Sequence, residues 1–226
     1  MITSIHNPRL KELRRIARRR DGRFVAEGED LLAAAEQAGW PALERFVAAG
    51  SGLAGEEVEP EVLHRVSALR SGTRAIAVFE QRWSPPAGPL AVALWGVGDP
   101  GNVGTVIRAA HAFGAASVVL GPDTADPYSP KAVRASMGAI FAVPVARATT
   151  VGELPGPVTA LAARAGAPLR GPGEGTILVG AERDGLPHDV LEAAHHTAHI
   201  PIHTESLNAA MAATVALYEL SRVQRA

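Results

Sequence analysis

Residues 90–121 of this 226-residue chain read LAVALWGVGDPGNVGTVIRAAHAFGAASVVLG, and this stretch decides the fold class. The apolar runs at 90–95 and 117–120 have the length of buried strands, and the segment between them has helical spacing. Asn102 is predicted to be the N-cap of that helix. Its buried face is predicted to consist of Val103, Val106, Ile107, Ala110 and Phe113. A strand, a helix and a second strand in this order predict a mostly parallel sheet.

The turn inside this stretch contains the pattern Gly96-x-Gly98-x-x-Gly101, and Asp123 follows roughly 20 residues later, as in dinucleotide-binding sites. An ordinary connection between a strand and a helix would contain the same glycines. A third interpretation rests on Arg108, which lies off the apolar stripe. The helix N-terminus nearby favours anions, so Arg108 would there hold a phosphate. This stretch alone leaves the three interpretations open.

The rest of the chain continues the alternation of apolar strands and helices, which predicts an α/β protein. The strands are predicted near residues 23–26, 44–48, 74–79, 90–95, 117–120, 141–145, 158–162, 177–179 and 199–202. The segment 81–89 (QRWSPPAGP) has the Pro and Gly content of a linker. We therefore predict three parts: a small α/β domain at residues 1–83, a linker at 84–89 and a larger α/β domain at 90–226.

The composition is that of a globular protein, with 47% hydrophobic and 20% charged residues. No apolar run approaches the roughly 20 residues that a bilayer requires, so we expect no membrane association. The absence of cysteine excludes disulfides, a thiolate nucleophile and cysteine-based metal sites. Because the N-terminus also lacks the apolar segment of a secretion signal, we expect a cytoplasmic protein.

Positive charge is concentrated at the N-terminus. Residues 1–23 hold eight basic and two acidic side chains, so the remainder of the chain carries a net charge of −7. Asn7-Pro8 predicts the start of a basic helix there, which is either a solvated helix face or a nucleic-acid-binding arm. The second alternative assigns nucleic-acid contacts to Arg9, Arg14, Arg15, Arg18 and Arg19.

Two later segments combine glycines or polar residues with apolar surroundings. Residues 176–187 (TILVGAERDGLP) place Gly180 and Glu182 after a strand, in a turn that is either ordinary or open to a ligand. Residues 199–222 lead from a strand through Ser206 to an apolar helix. Asn208 is predicted in the first turn of that helix as a buried amide, which either satisfies a neighbouring loop or holds a ligand.

Three histidines near the C-terminal end, His195, His199 and His203, follow one another at four-residue intervals. On a helix this spacing would bring them together as metal ligands, but Pro201 favours a strand here. We therefore expect no metal site.

Three segments share the order and spacing of a known set of motifs. They are Asn102-x-Gly104-x-x-x-Arg108-x-Ala110, Gly180-x-Glu182-x-x-Gly185-Leu186, and Ile200-Pro201 followed by Ser206-Leu207-Asn208. Together they resemble the motifs of the SpoU/TrmH family, S-adenosylmethionine-dependent RNA ribose 2′-O-methyltransferases of the SPOUT superfamily. The segment 130–139 (PKAVRASMGA) is also similar to a stretch common in that family. The resemblance disfavours a dinucleotide site, because such a site leaves the second and third motifs unexplained.

The resemblance implies a fold, a cofactor and a set of site residues. The implied fold is a small N-terminal domain related to ribosomal protein L30e and a SPOUT domain with a mostly parallel sheet and a deep trefoil knot. The implied pocket for S-adenosylmethionine is lined by Gly180, Ile200 and Leu207. The target ribose would be surrounded by Arg108, Asn102, Glu182, Ser206 and Asn208.

The resemblance also implies partners. Ribosomal RNA is the expected substrate, and the alternatives are transfer RNA or a non-catalytic RNA-binding protein of the same fold. The helix after Ser206 shows more apolar surface than one sheet can cover, which predicts a homodimer with Met211 and Leu217 at its interface.

Overall fold

The computed structural model describes residues 1–18, 21–67, 72–171 and 173–222, which form two sheets with helices packed on them. The helices are α1 (Pro8–Ile16), α2 (Glu29–Gln37), α3 (Pro60–Val66), α4 (Pro100–Phe113), α5 (Pro130–Ala135), α6 (His188–Ala193) and α7 (Ala209–Ser221). The strands are β1 (Arg23–Glu27), β2 (Glu44–Ala48), β3 (Glu56–Val58), β4 (Ala75–Glu80), β5 (Leu90–Leu94), β6 (Ser117–Leu120), β7 (Val145–Arg147), β8 (Val158–Leu161), β9 (Ala167–Pro168), β10 (Gly175–Val179) and β11 (His196–His199).

The smaller sheet has the strand order β1-β4-β2-β3 and is mixed, with β4 antiparallel to both of its neighbours. Helix α1 covers it with its buried side chains Leu10, Leu13 and Ile16. The predicted start of this helix is confirmed, because the side chain of Asn7 accepts a hydrogen bond from the backbone N–H of Arg9 over 2.9 Å. Helix α1 of the basic N-terminal segment is therefore anchored by its apolar face to the smaller sheet.

The larger sheet has the strand order β7-β6-β5-β10-β8-β11-β9, and each of its strand pairs is parallel. The central strands β5 and β10 are buried at every position. Burial on both faces is what a parallel sheet covered by helices on either side requires. The predicted α/β fold with a mostly parallel sheet is confirmed.

An aromatic cluster joins the two sheets. The ring of Phe24 lies 4.8 Å from that of Tyr128, and the ring of Phe79 lies 5.0 Å from that of Phe141. The segment 81–89 lacks regular secondary structure, as the linker prediction expects. The predicted boundary at residues 84–89 thus separates two sheets that share one hydrophobic cluster.

One predicted strand, over residues 141–145, is wrong for most of its length. The chain forms a 3₁₀ turn at Ala139–Phe141, and β7 begins only at Val145. Phe141 packs into the aromatic cluster between the sheets, and Pro144 has no N–H for a strand ladder. Tertiary packing of Phe141 therefore overrides the β-propensity of the apolar run.

A second predicted strand, over residues 199–202, lies earlier in the chain. Strand β11 spans His196–His199 and pairs with β8 and β9. Pro201 cannot donate a ladder hydrogen bond, and residues 200–208 have no helix or strand. The polar residues of the third motif consequently lie in a loop.

Helix α7 packs on α4 and on strands β5 and β10. Leu217 is fully buried by this packing, so its predicted place at a dimer interface is wrong. Met211 is 58% exposed, and Val215 and Tyr218 are 40% and 54% exposed. Neither α7 nor any other helix of the described residues is long and apolar enough to cross a membrane.

Candidate active site

Helix α4 begins just beyond the carboxyl end of β5, and Asp99 is its N-cap. The carboxylate of Asp99 accepts hydrogen bonds from the backbone N–H groups of Gly101, over 2.6 Å, and Asn102, over 3.2 Å. It also pairs with the ammonium of Lys131 over 2.7 Å, and this contact lowers the pKa of Asp99. The prediction that Asn102 caps the helix is wrong, because the preceding Asp-Pro pair starts it three residues earlier.

Because Asp99 caps the helix, the side chain of Asn102 forms hydrogen bonds with two loops instead. Its Nδ2 donates to Oε1 of Glu182 over 2.5 Å, and its Oδ1 accepts a hydrogen bond from Nδ2 of Asn208 over 3.1 Å. The three residues come from the three separate motifs. We call them the amide row. The fold thus brings together three of the five residues expected around a target ribose.

The capping of helix α7 by Asn208 determines which side-chain atoms of the amide row donate hydrogen bonds and which accept them. Asn208 is the N-cap of α7, and its Oδ1 accepts hydrogen bonds from the backbone N–H groups of Ala210 and Met211 over 3.0 and 3.3 Å. Its Nδ2 is therefore the group that faces Asn102, whose oxygen must accept and whose nitrogen must donate to Glu182. Asn208 is exposed and precedes the helix, so its predicted buried position in the first turn is wrong.

A cleft of about 200 Å³ lies between the ends of β8 and β10, the loop after β11 and the start of α7. Its lining includes all three residues predicted to bind the cofactor, Gly180, Ile200 and Leu207. Glu182 and Ser206, two of the residues predicted around the ribose, line it as well. None of the glycines in the pattern 96–101 is among the lining residues, so the dinucleotide interpretation has no support from this cleft.

Arg108 lies on α4, six residues after Asn102, and its side chain is exposed. No hydrogen bond or ion pair joins its guanidinium to any of residues 1–18, 21–67, 72–171 or 173–222. It belongs neither to the amide row nor to the lining of the cleft. The guanidinium of Arg108 is therefore unpaired among the described residues, and it does not line the cleft.

Two of the N-terminal arginines predicted to bind nucleic acid are engaged inside the chain. Arg9 pairs with Glu44 over 2.9 Å. Arg15 pairs with Glu12 over 2.6 Å and with Asp21 over 3.0 Å. The hydrogen bond from Arg15 is the main cause that lowers the pKa of Glu12 to about 2. These two guanidiniums have carboxylate partners already and are less available to phosphate.

The other predicted arginines differ in their surroundings. Arg14 donates to the backbone oxygen of Arg65 over 3.0 Å, so its charge has no carboxylate partner in that contact. Arg18 is exposed. Arg19 lies outside the described residues.

Two of the three histidines at four-residue intervals, His195 and His199, make separate contacts in the structure. His195 Nδ1 accepts a hydrogen bond from the backbone N–H of Val158 over 3.1 Å, and His199 Nδ1 lies 3.2 Å from the oxygen of Gly166. In the part of the chain that the structure describes, no three His, Asp or Glu side chains are grouped as metal ligands.

Sequence reasoning missed Asp99 and Lys131. The Asp99-Pro100 pair carries the same signal of a cap followed by proline that identified Asn7-Pro8 as a helix start. Nothing in the sequence pairs Lys131 with Asp99, since they lie on different helices and 32 residues apart.

Comparison with solved structures places the whole chain in the class of RNA methyltransferases. The AdoMet-bound rRNA methyltransferase from Sinorhizobium meliloti has a TM-score of 0.87 and 32% identity, over 100% of this chain and 98% of that one. The SpoU methyltransferase AviRb from Streptomyces viridochromogenes, in complex with AdoMet, has a TM-score of 0.85 and 25% identity, over 97% and 98%. Residues 89–218 match the model of the SpoU rRNA Methylase family, and the chain belongs to this family. Its cofactor is S-adenosylmethionine.

Curated relatives agree with this assignment. An uncharacterized tRNA/rRNA methyltransferase from Synechocystis is 30% identical over 99% of this chain and 94% of its own length. The 23S rRNA (guanosine(2553)-2′-O)-methyltransferase RlmP from Bacillus subtilis is 37% identical over 55% of this chain. That alignment spans 54% of RlmP, so the chain matches about half of that relative.

The cleft fits S-adenosylmethionine by its chemistry. Leu161, Val179 and Leu207 supply apolar surface for a flat base. Gly180 permits the tight turn beside them, since a Cβ there would lie 2.4 Å from the backbone carbon of Gly185. The lining holds a carboxylate, Glu182, which favours a positively charged sulfonium, and a guanidinium, Arg183.

Proposed function

We propose that this protein methylates the 2′-hydroxyl of a ribose in structured RNA, and that this RNA is ribosomal RNA. We place the reaction in the cytoplasm. The observation that carries the proposal is the amide row of Asn208, Asn102 and Glu182 at the edge of the cofactor cleft. Beyond the capping of α7 by Asn208, the row joins polar side chains of three separate segments by hydrogen bonds beside the cleft. RlmP from B. subtilis and a 23S rRNA (uridine(2479)-2′-O)-methyltransferase from S. viridochromogenes, 36% identical over 55% of this chain, support ribosomal RNA.

The chain's own residues would position the hydroxyl for reaction. S-Adenosylmethionine, when bound, supplies a methyl group on a positively charged sulfur that is open to attack by an oxygen nucleophile. Asn102 and Asn208 hold each other by a hydrogen bond, and their fixed rotamers shape one wall of the ribose site. Ser206, in the loop before α7, adds a hydroxyl that can donate to or accept from the sugar.

Arg108 would act on the RNA and not on the cofactor. A guanidinium keeps its proton in proteins, so it is a poor base. It is well suited to hold the phosphate next to the target ribose and to stabilise the negative charge that develops on the 2′-oxygen. The hydroxyl proton then passes to solvent or to that phosphate as the oxygen–methyl bond forms.

A homodimer would bring Arg108 to the site. Met211, Val215 and Tyr218 recur along α7 at intervals of four and three residues, and all three are exposed. The ring of Phe113, at the end of α4, lies 5.9 Å from that of Tyr218. An apolar stripe of this kind is suited to a second copy of the same helix. We propose that Arg108, which is apart from the cleft within one protomer, completes the partner's site.

The finer features of the fold belong to the same proposal. Strand β11 lies beyond β8 in the sheet, whereas α7 packs on β10 and β5, so residues 200–208 cross from the β11 side of the sheet back toward its centre. This crossing supports a trefoil knot in which the two loops thread each other and build the cofactor cleft. The mixed four-stranded sheet of the N-terminal part would be the L30e-like, RNA-binding domain.

The test is transfer of a labelled methyl group from S-adenosylmethionine to RNA. The purified protein is incubated with unmodified ribosomal RNA and, separately, with transfer RNA, and the modified nucleosides are identified by mass spectrometry. We expect a 2′-O-methylated nucleoside in ribosomal RNA. Methylation of a base would overturn the 2′-O assignment, and methylation of transfer RNA alone would overturn the substrate. Cofactor binding without any transfer would favour the non-catalytic RNA-binding alternative.

A further inference from the structure

A second groove, also of about 200 Å³, lies between the two sheets where helix α5 faces strand β1 and helix α2. Two basic side chains, Lys131 and Arg134, line it from α5. Its apolar lining comes from Val25, Leu31 and Val133, which are buried. The groove thus combines a cationic wall with an apolar surface.

The groove borders the candidate active site. Lys131 pairs with Asp99, and Asp99 caps the helix whose first turn holds Asn102. Helices α4 and α5 touch through their backbones, since a Cβ on Gly104 would lie 2.2 Å from the oxygen of Ala132. The cationic wall is therefore held rigidly beside the amide row.

The positive charge of Arg134 has no partner among the described residues. Its side chain is exposed, and no hydrogen bond or ion pair joins it to the described part of the chain. By contrast, Arg9, Arg15 and Arg45 each have a carboxylate partner within 3 Å. A free guanidinium three residues from Lys131 on one short helix favours a multiply charged anion such as a nucleic-acid backbone.

An acidic side chain on the wall opposite α5 limits where an anion can bind in the groove. Glu27 lines the groove, and its Oε2 accepts a hydrogen bond from the hydroxyl of Ser67 over 2.5 Å. A carboxylate here repels phosphate, so the phosphate must lie on the α5 side. The space next to Val25 and Leu31 is then left for a flat, uncharged group.

We propose that this groove binds one unpaired nucleotide of the RNA substrate close to the target ribose. Arg134 holds its phosphate, and its base lies on the apolar lining, while Lys131 stays paired with Asp99 at the rim of the groove. The inference rests on the proposed function, because it assigns a further contact to the same RNA. It adds a substrate requirement, since a target inside a continuous duplex offers no unpaired nucleotide to the groove.

The test compares Arg134→Gln with a matched control, Arg45→Gln. Both remove one positive charge, but Arg45 is already paired with Glu36 over 2.5 Å on the smaller sheet. Binding of a fluorescent oligouridylate of about 12 nucleotides is measured over a series of salt concentrations. Loss of one phosphate contact lowers the slope of log affinity against log salt by about 0.7, or roughly fivefold in affinity near 0.1 M salt.

We expect this loss for Arg134→Gln and none for Arg45→Gln. Equal slopes for Arg134→Gln and wild type would overturn the inference. So would an equal loss of binding to polyglutamate, which would indicate a general anion surface. Methyl transfer by the wild type is measured in parallel, so that failure of the proposed function is recorded separately from failure of the groove.

Discussion

The side-chain amide of Asn208 donates to the side-chain oxygen of Asn102 across 106 residues of sequence, over a distance of 3.1 Å. The same Asn208 caps helix α7, so one residue both starts a helix and orients a polar group of the candidate site. The position of Asn102 is thereby coupled to the packing of α7.

The substitution Asn208→Asp separates the capping of α7 from the hydrogen bond to Asn102. Aspartate keeps the oxygen that caps α7, so the thermal midpoint should change little. It has no N–H to give to Asn102, whose amide must turn and lose its bond to Glu182. We expect kcat for methyl transfer to fall at least about tenfold, which corresponds to about 1.4 kcal/mol. A variant with wild-type kcat would show that the amide row is structural only.

Arg108→Ala should abolish methyl transfer while leaving the affinity for S-adenosylmethionine nearly unchanged. The guanidinium is exposed and does not line the cofactor cleft, so its partner is expected to be RNA phosphate. Calorimetric titration with the cofactor and a transfer assay at saturating cofactor separate the two effects. Arg108→Lys keeps the charge without the forked geometry and should recover part of the rate. Weak cofactor binding with normal turnover at saturation would contradict the assignment.

The fold class could be predicted from the sequence because the alternation of apolar strands and helices is strong between residues 90 and 121. The strand ends could not be predicted where tertiary contacts decide them. Phe141 belongs to an apolar run that favours a strand, yet it turns into the aromatic cluster with Phe79. Such a contact between residues far apart in sequence leaves no local signal.

The three motifs in order predicted that Asn102, Glu182 and Asn208 lie together, and the structure joins these three side chains by hydrogen bonds. What could not be predicted was their connectivity. Asn102 has the sequence context of a cap, and only the structure shows that Asp99 takes that role and leaves Asn102 to bridge two loops. The ion pairs of helix α1 could not be predicted from the sequence either, since Arg9 pairs with Glu44 on a strand 35 residues away.

Arg9 in helix α1 and Arg18 just beyond its end should differ in their effect on RNA binding. Arg18→Gln removes an exposed charge and should lower the salt slope of RNA binding by about 0.7 to 0.9. Arg9→Gln breaks an ion pair with Glu44, and we expect a loss of up to about 1 kcal/mol in stability with an unchanged slope. Binding titrations over a salt series and urea unfolding measure the two quantities. Equal slopes for Arg18→Gln and wild type would show that Arg18 does not contact RNA.

The docking of helix α1 should be sensitive to acid. Hydrogen bonds from Arg15 and then Arg23 lower the pKa of Glu12 from 4.5 to about 2. The folded state therefore prefers the carboxylate, and this stabilisation is complete above the unfolded value and is lost as pH falls from 4.5 toward 2.

Glu12→Gln should remove that part of the pH dependence. We expect the urea midpoint of the wild type to fall more than that of the variant between about pH 6 and about pH 3. Glu61→Gln is the control, because Glu61 lies 3.9 Å from Arg65 in a loose, exposed pair. Parallel curves for wild type and Glu12→Gln would show that the Arg15 contact does not persist in solution.

The exposed stripe on α7 gives the last prediction, that of a homodimer whose two copies share their sites. Met211→Arg places a charge on a side chain that is 58% exposed in one protomer, so the variant should fold with nearly wild-type stability. In a symmetric dimer the charge occurs twice in an apolar contact and should shift the protein to monomers. Sedimentation velocity at micromolar concentration measures this shift.

Leu217→Arg is the contrasting variant, because Leu217 is fully buried in its own protomer and a charge there should unfold the chain. If Arg108 completes the partner's site, a folded Met211→Arg monomer should bind S-adenosylmethionine but transfer no methyl group. Mixing Arg108→Ala with Asn208→Asp subunits should then restore up to about half of the activity in the mixed dimers, since one of their two sites is intact. A wild type that is monomeric and active would refute the shared site.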